Sequence, residues 1–277
     1  MDVRRAAPCA AHNEPAASRP SQTPPPLDRE AALFLDVDGT LLDIAPRPEL
    51  VRIPAGLPQL LDRLGRERGG ALALVSGRPL RDIDHLFRPW AGAAAGLHGA
   101  ERRRANGDRA SRRESEADAA AARALAELRP RLAELTRAIP GTWLEDKGGT
   151  LALHYRSVPE RQPELRQMTE ALLADHPDHL RLIDGKMVLE FQPRHHGKDA
   201  AIAAFLAEPP FSGRCPVFVG DDTTDEDGFA EVNRHGGWSV RVGSPAPTAA
   251  IYSLPSVAAV HAWLAGNPSE KPERRRN

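Results

Sequence analysis

The sequence has little of what would tie a protein to an oxidising compartment, a membrane or a polyanion. It carries two cysteines, Cys9 and Cys215, among 277 residues. Cys9 stands in a stretch that reads as unfolded, so no structural disulfide is expected and a reducing cytoplasm is the default compartment. No apolar run approaches the roughly 18 residues of a spanning helix. Arg4 and Arg5 are followed by no apolar segment of the kind a secretory signal needs. The formal net charge is −1, which speaks against a general nucleic-acid or membrane-surface binder. The expectation is a monomer that engages neither nucleic acid nor membrane. What the chain does have is length enough for two domains, and a 41% hydrophobic fraction able to fill a core.

The remainder is organised around residues 31–40, A-A-L-F-L-D-V-D-G-T. Small and apolar residues through Leu35 read as a buried strand that stops at a turn signal, Gly39. Asp36 and Asp38 follow the strand. Residues two apart in extended chain point to one side, so both carboxylates leave on the same face. Two like charges that close require a cation or a proton, and an all-oxygen site suits a hard divalent ion such as Mg²⁺. Thr40 adds a hydroxyl. An EF-hand does not fit: counted from Asp36, the sixth and twelfth places hold Leu41 and Arg47 rather than Gly and Glu. A plain Asp-Gly turn is the bland alternative.

Residues 1–29 are rich in Pro, Ala and Ser and read as a disordered extension. After the first strand, residues 41–52 hold prolines and form a loop or flap over the site. A helix is expected from Pro54, with Leu57, Leu60, Leu61 and Leu64 on one face. A strand over 71–75 ends at Ser76-Gly77-Arg78, a helix opens at Pro79, and a strand over 91–97 ends at His98-Gly99. Strand, helix, strand, helix, strand is the mark of a parallel sheet with helical crossovers. The pattern then changes. Residues 101–113 are arginine-rich around Asn106-Gly107 and suggest a short hairpin; as a charge run they read most simply as a solvated face. A helix with Leu125, Leu128, Leu132, Leu135 and Ile139 follows, kinked or divided at Pro130. Strands over 142–147 and 150–156, a helix over 160–174, and strands over 180–184 and 186–192 around Asp184-Gly185 complete an α+β unit. The parallel pattern resumes with a helix carrying Lys198, a strand over 216–219 closed by Gly220-Asp221-Asp222, a helix from Thr224, a strand over 238–242 and a last helix over 257–265. The fold class is therefore α/β, with a core of residues 30–101 and 189–265 interrupted by an inserted α+β cap of residues 102–188, and a polar basic tail over 266–277.

This layout brings four loops to the carboxyl ends of the core strands, where open α/β sheets bind ligands. They supply Asp36, Asp38, Thr40, Ser76, Lys198 and the acidic run Asp221, Asp222 and Asp225. That inventory suits phosphoryl transfer to an aspartate. Asp36 would attack phosphorus. Asp38 would protonate the leaving alkoxide and then activate water. Thr40 and Ser76 would donate to phosphoryl oxygens, and Lys198 would stabilise the developing charge. Mg²⁺ would be held by Asp36, Asp221 and the Asp38 carbonyl, with Asp222 and Asp225 beside them. Taken singly, Ser76-Gly77 is a common turn, Lys198 a solvated lysine, Asp222 a turn residue, and Asp225 an acid in a helix's first turn.

Asp36-Val37-Asp38-Gly39-Thr40, Ser76-Gly77-Arg78, Lys198 and Gly220 to Asp225 together resemble the four motifs of the haloacid dehalogenase superfamily. Residues 96–101 (GLHGAE), 151–156 (LALHYR), and Glu226 and Phe229 after the last motif narrow the resemblance to trehalose-6-phosphate phosphatases. The resemblance covers about residues 31–265. It implies Mg²⁺-dependent hydrolysis of trehalose 6-phosphate under a mobile cap, with Asp36 as nucleophile, Asp38 as acid/base, and Asp36, Asp38 and Asp221 on the metal. Family members often have Gly after the motif lysine, whereas Asp199 follows Lys198 here.

Strand alternation supplies candidate sugar contacts. Leu151, Leu153 and Tyr155 fall on one face of their strand, and Ala152, His154 and Arg156 on the other. Met187, Leu189 and Phe191 oppose Lys186, Val188 and Glu190. The apolar faces would pack on the cap helices and the polar faces would look toward the core, making Lys147, His154, Arg156, Lys186 and Glu190 candidates for sugar hydroxyls; Arg78 and His98 join them from the core loops. A solvated sheet face is the plainer alternative. Two other functions are compatible with the inventory: hydrolysis of a different sugar phosphate, and recognition of a phosphosugar without turnover, against which the intact Asp36, Asp38, Lys198 and Asp221 speak.

Overall fold

The structure, a computed structural model, describes residues 23–45, 50–108, 116–243 and 247–266. Eleven strands and seven α-helices are formed among them: β1 (Ala32–Leu35), α1 (Leu57–Glu67), β2 (Leu72–Val75), α2 (Leu80–Leu86), β3 (Ala93–Gly96), β4 (Glu101–Arg103), α3 (Glu116–Ala138), β5 (Trp143–Asp146), β6 (Leu151–His154), α4 (Gln162–Leu173), β7 (Leu180–Gly185), β8 (Val188–Pro193), α5 (Lys198–Leu206), β9 (Pro216–Gly220), α6 (Glu226–Arg234), β10 (Trp238–Val242), β11 (Tyr252–Leu254) and α7 (Val257–Leu264).

The larger sheet runs β11-β10-β9-β1-β2-β3-β4. Every pairing in it is parallel except β3 with the edge strand β4. All four residues of β1 are buried, as a parallel strand covered on both faces requires. On one face Leu33 and Leu35 meet Leu61 of α1, Ile83 of α2 and Trp263 of α7. On the other, Ala32 and Phe34 meet Ile202 and Phe205 of α5 and Phe229 of α6. Chain order leaves β1 in opposite directions, toward β2 on one side and β9 on the other. That switch point opens a crevice at the carboxyl ends of the three strands, where Asp36, Ser76 and Asp221 stand.

The second sheet, β5-β6-β8-β7, is antiparallel throughout. One face packs on α3 and α4: Leu151 and Phe191 against Leu125, Leu128 and Leu132 of α3, and Leu153, Tyr155 and Leu189 against Leu165 of α4. The opposite face looks back at the crevice.

Several expectations change. Residues 101–103 do not fold back as a hairpin; β4 pairs with β3 and extends the core sheet, while the Asn106-Gly107 turn closes only on Arg104 and Asp108. Residues 189–193 belong to the second sheet, because β8 pairs with β6 and β7, so the chain returns to the core after Pro193. The β7–β8 turn is Lys186-Met187, not Asp184-Gly185, since Gly185 pairs with Val188. Met187 then takes φ 64 and stands exposed instead of joining the apolar face. Pro130 lies inside a single helix of 23 residues and does not divide it. α1 begins at Leu57 because Gly56 adopts φ 86, and β11, which carries no long apolar run, was not anticipated. Of the proline-rich extension, residues 1–22 lie outside the described residues, as do 109–115 of the arginine run and 267–277 of the tail. Residues 24–28 are docked: Pro24 is buried, the Trp263 indole donates to Pro25 O at 2.8 Å and Leu27 packs on the core. Cys215 is disulfide-bonded rather than a free thiol; Cys9 lies outside the described residues.

Candidate active site

Each functional side chain stands at a strand end because the backbone turns there. After β1, Gly39 takes φ 83, and a Cβ on it would fall 1.9 Å from Asp221 Oδ2. The Asp36-to-Thr40 turn thus exists in this shape only with glycine at its centre, and Asp221 from β9 lies directly across it. Gly77 plays a similar part after β2, since a Cβ there would lie 2.6 Å from His98 Nε2. His98 itself is in the left-handed region at φ 53, a conformation that points to a local constraint at a ligand-facing position.

The centre is a buried charge cluster. The Lys198 ammonium, at the first turn of α5, donates to Asp36 Oδ1 at 2.7 Å and Asp225 Oδ1 at 2.6 Å. The other Asp225 oxygen accepts the main-chain N–H groups of Asp221 and Asp222, both at 2.9 Å. Asp225 is fully buried and both its oxygens are committed, so it fixes Lys198 and the β9 turn and does not line the cavity. Burial raises the Asp36 carboxyl well above the ordinary range; Lys198 works against that shift, and Asp225 and Asp221 add to it. Asp221 is pushed up to about 6, chiefly by burial and then by Asp225, with Lys186 opposing. Lys198 stays firmly charged: burial alone would lower it, but Asp225 and Asp36 raise it further. Oxygen atoms from Asp36, Asp221 and Asp225 lie within 4.8 Å of one another. This is an acidic, oxygen-only cluster in which two carboxylates resist ionisation, and a hard divalent cation fits both its donors and its unbalanced charge.

Asp38 is the less buried of the two aspartates after β1 and makes a two-pronged pair with Arg78: Nε to Oδ2 at 2.6 Å and Nη2 to Oδ1 at 2.7 Å. Ser76 Oγ accepts from Arg78 N at 3.1 Å, which leaves its hydroxyl hydrogen directed elsewhere. Thr40 Oγ1 is buried and has no hydrogen-bond partner among the described residues. Asp222 accepts from Thr223 N at 2.7 Å and caps the short turn that leads into α6.

The polar face of the second sheet roofs the cavity, as strand alternation predicts. Ile183, Lys186, Val188 and Glu190 line it from β7, β8 and their turn, and His154 and Arg156 from the end of β6. Glu190 is buried, 3.0 Å from Lys147 Nζ and 3.5 Å from His98 Nε2. Burial would raise Glu190, but Lys147 and His98 hold it well below the usual carboxylate range. Lys186 Nζ reaches across to Asp221 Oδ2, and the Arg156 guanidinium donates to Lys186 O at 3.1 Å. All seven expected sugar-contact residues, Arg78, His98, Lys147, His154, Arg156, Lys186 and Glu190, therefore line one cavity with Asp36, Asp38, Ser76, Lys198, Asp221 and Asp222. Two residues escaped the sequence reading. Glu145 lies 2.9 Å from His154 Nε2, and Trp143 stacks on the His154 ring at 3.8 Å. Alternation along β5 carried a signal for Glu145, which pairs in register with Ala152 of β6. Asp199 touches neither carboxylate bound to Lys198; its Oδ1 sits 2.1 Å from where a Gly197 Cβ would be, in the first turn of α5 where an acid suits the helix dipole.

Residues 34–258 match the model of the family described as trehalose-phosphatase. The chain is 47% identical over 236 residues to a probable trehalose-phosphate phosphatase of Sinorhizobium fredii, covering 84% of this chain and 86% of that one. It is 41% identical over 260 residues to the trehalose-6-phosphate phosphatase of Escherichia coli, covering 94% and 95%. The fold is shared with the C-terminal domain of Candida albicans trehalose-6-phosphate phosphatase, at TM-score 0.75 and 22% identity over 89% of this chain and 99% of that one. A haloacid dehalogenase-like hydrolase from Bacteroides thetaiotaomicron shares it at TM-score 0.59 and 15% identity, over 85% and 98%. With a family match along most of its length and two such relatives, the chain belongs to the trehalose-phosphatase family and is an enzyme built on the haloacid dehalogenase-like fold.

Proposed function

We propose that the protein hydrolyses trehalose 6-phosphate to trehalose and phosphate, in trehalose biosynthesis, with Mg²⁺ and through an aspartyl phosphate on Asp36. The observation that carries this reading is the Asp36 carboxylate, buried at the foot of the cavity with Lys198 on one oxygen and Asp221 beside it, beneath a roof of polar side chains. Lys198 fixes one carboxylate oxygen and leaves the other to attack phosphorus in line with the leaving sugar oxygen. Asp38, released from Arg78 and protonated from solvent, gives that proton to the departing alkoxide. It then takes a proton from the water that attacks the aspartyl phosphate, so phosphate leaves and both aspartates return to their starting states. Thr40 and Ser76 have hydroxyl hydrogens to offer phosphoryl oxygens, and the fixed Lys198 charge favours the transition state without reorganisation. Bound Mg²⁺, held by Asp36, Asp221 and the Asp38 carbonyl, would neutralise the phosphate and the carboxylates. Asp222 and Asp225 would support that set from behind. Lys147, Glu190, His154, Arg156 and Lys186 at the roof, with His98 from the core, present donors and acceptors of both charges, a surface suited to the many hydroxyls of a disaccharide.

Phosphate release from trehalose 6-phosphate tests the proposal, with glucose 6-phosphate, sucrose 6-phosphate and an aryl phosphate alongside. Expected are a strong preference for trehalose 6-phosphate, loss of turnover with EDTA and its return with Mg²⁺. Asp36→Asn should be inactive while still binding substrate. Preference for another phosphate would discard the substrate and keep the chemistry. No turnover of any of them by the folded wild-type protein would discard both.

A further inference from the structure

Away from the cavity, where the chain leaves the core for the second sheet and where it returns, three metal-ligating side chains converge. Asp118 stands in the first turn of α3. His195 and His196 lie on the return segment between β8 and α5. Asp118 Oδ1 lies 2.6 Å from His195 Nε2 and 2.9 Å from His196 Nε2. The two rings meet edge to face, with centroids 4.3 Å apart. The three donor atoms all lie within 4.8 Å of one another.

We infer that Asp118, His195 and His196 form a binding site for a borderline transition-metal dication of the zinc and cobalt class, separate from the oxygen-only centre around Asp36. Several features carry this. Two imidazole nitrogens and one carboxylate oxygen are the donor set that such ions prefer, whereas Mg²⁺ takes oxygens. The donors come from segments 77 and 78 residues apart, so only the tertiary fold assembles them. The Asp118 oxygen, now at hydrogen-bond distance from each of the two imidazole nitrogens, is well under an ångström short of the separation that ligands keep around a small ion. His196 and Asp118 have side chains 7% and 14% exposed, and His195 27%, which leaves a path for the ion and a solvent-facing position for water as a fourth ligand. The site also has a lever on the catalytic centre. His196 is followed by Gly197, which precedes α5, and by Lys198. The His196 carbonyl accepts from Arg181 Nη2 at 2.7 Å, and Arg181 reaches Asp227 of α6 at 3.0 Å. A metal here would staple the start of α3 to the segment that positions Lys198.

The test is Co²⁺ titration of the full-length protein held in excess Mg²⁺, which occupies the oxygen-only centre, read by visible absorption and by isothermal titration calorimetry. The expected result is one equivalent of Co²⁺ bound with the intense visible bands of a four-coordinate nitrogen-containing site, displaced by Zn²⁺. His195→Ala and Asp118→Asn should each weaken binding by at least the roughly 100-fold that loss of an outer-shell partner alone can cost. His195 is the most exposed of the three ligands, and circular dichroism of its variant establishes that the fold is intact. Absence of a Mg²⁺-resistant Co²⁺ equivalent would overturn the inference, as would binding that survives both substitutions. If either variant proves unfolded, the wild-type spectrum decides: bands of an oxygen-only, six-coordinate ion would overturn the inference by themselves.

Discussion

Gly39 shows how much of the centre rests on one missing side chain. Its φ of 83 falls where other residues are strained, and the space a Cβ would need is filled by the Asp221 carboxylate. Gly39→Ala should cost about 1–2 kcal/mol of stability for the backbone alone. Its larger effect would be on chemistry, because displacing Asp221 by about an ångström can cost roughly 100-fold in rate. The expected outcome is a folded protein with a modest drop in Tm and a kcat lowered by about that factor, measured by calorimetry and steady-state kinetics. A kcat within twofold of wild type would show that the Asp221 position does not limit the reaction. Asp225 teaches a related lesson. Its oxygens hold Lys198 and two main-chain N–H groups while lying within 4.8 Å of ligand atoms of Asp36 and Asp221, so it sets the geometry of the acidic cluster as well as adding to its charge.

At the scale of the element, β8 does two jobs by alternation. Leu189 and Phe191 bury themselves against α3 and α4, while Glu190 between them faces the cavity. Glu190 carries its charge in a buried position because Lys147 from the β5–β6 turn answers it at 3.0 Å; burial lowers Lys147, but Glu190 and Glu145 together leave it raised. The sign of the linkage follows. A carboxylate whose folded pKa is depressed contributes stability that is present above its unfolded value of 4.5 and is lost as pH falls below that value toward the folded one. Glu190→Gln should remove this part of the acid dependence, so that unfolding free energy against pH becomes shallower below about 4.5. Near neutral pH the same change leaves Lys147 without its partner and should cost about 3 kcal/mol. Urea unfolding of both proteins across the acid range measures the two effects; parallel curves would remove Glu190 from the account.

For the whole molecule, the question is what joins the two sheets over the cavity. Lys186 reaches Asp221, Thr223 Oγ1 reaches Asp184 O, and Arg181 pairs with Asp227. Lys186 therefore meets the centre from the roof, and in the proposed reaction its ammonium would be available to the substrate phosphate. Lys186→Ala should raise KM for trehalose 6-phosphate by about tenfold, near 1.4 kcal/mol, with a smaller effect on kcat. A lowered kcat at unchanged KM would place Lys186 in the chemistry rather than in binding.

Much of this was legible in the residues. The apolar run before Asp36 was bound to be a doubly covered strand, because its side chains could be satisfied in no half-exposed one. The two-residue period of β6 and β8 fixed which side chains would roof the cavity. The order of Asp36, Ser76, Lys198 and Asp221 along alternating strands and helices set which loop ends would meet. Other features had no local signal. The β7–β8 turn fell on Lys186-Met187 and not on the better turn pair Asp184-Gly185, because register along the whole hairpin outweighs the preference of two residues. Residues 101–103 joined the core sheet because an open edge at β3 was there to accept them. The pairing of Asp38 with Arg78, the commitment of Asp225, and the meeting of Asp118 with His195 and His196 depend on side chains far apart in the chain. Sequence by itself determined the period, the turn chemistry and the chemical inventory, since these are properties of neighbours. Which carboxylate is free, which is tied down, and which histidines face one another were decided only by tertiary structure, because charge and coordination act through space.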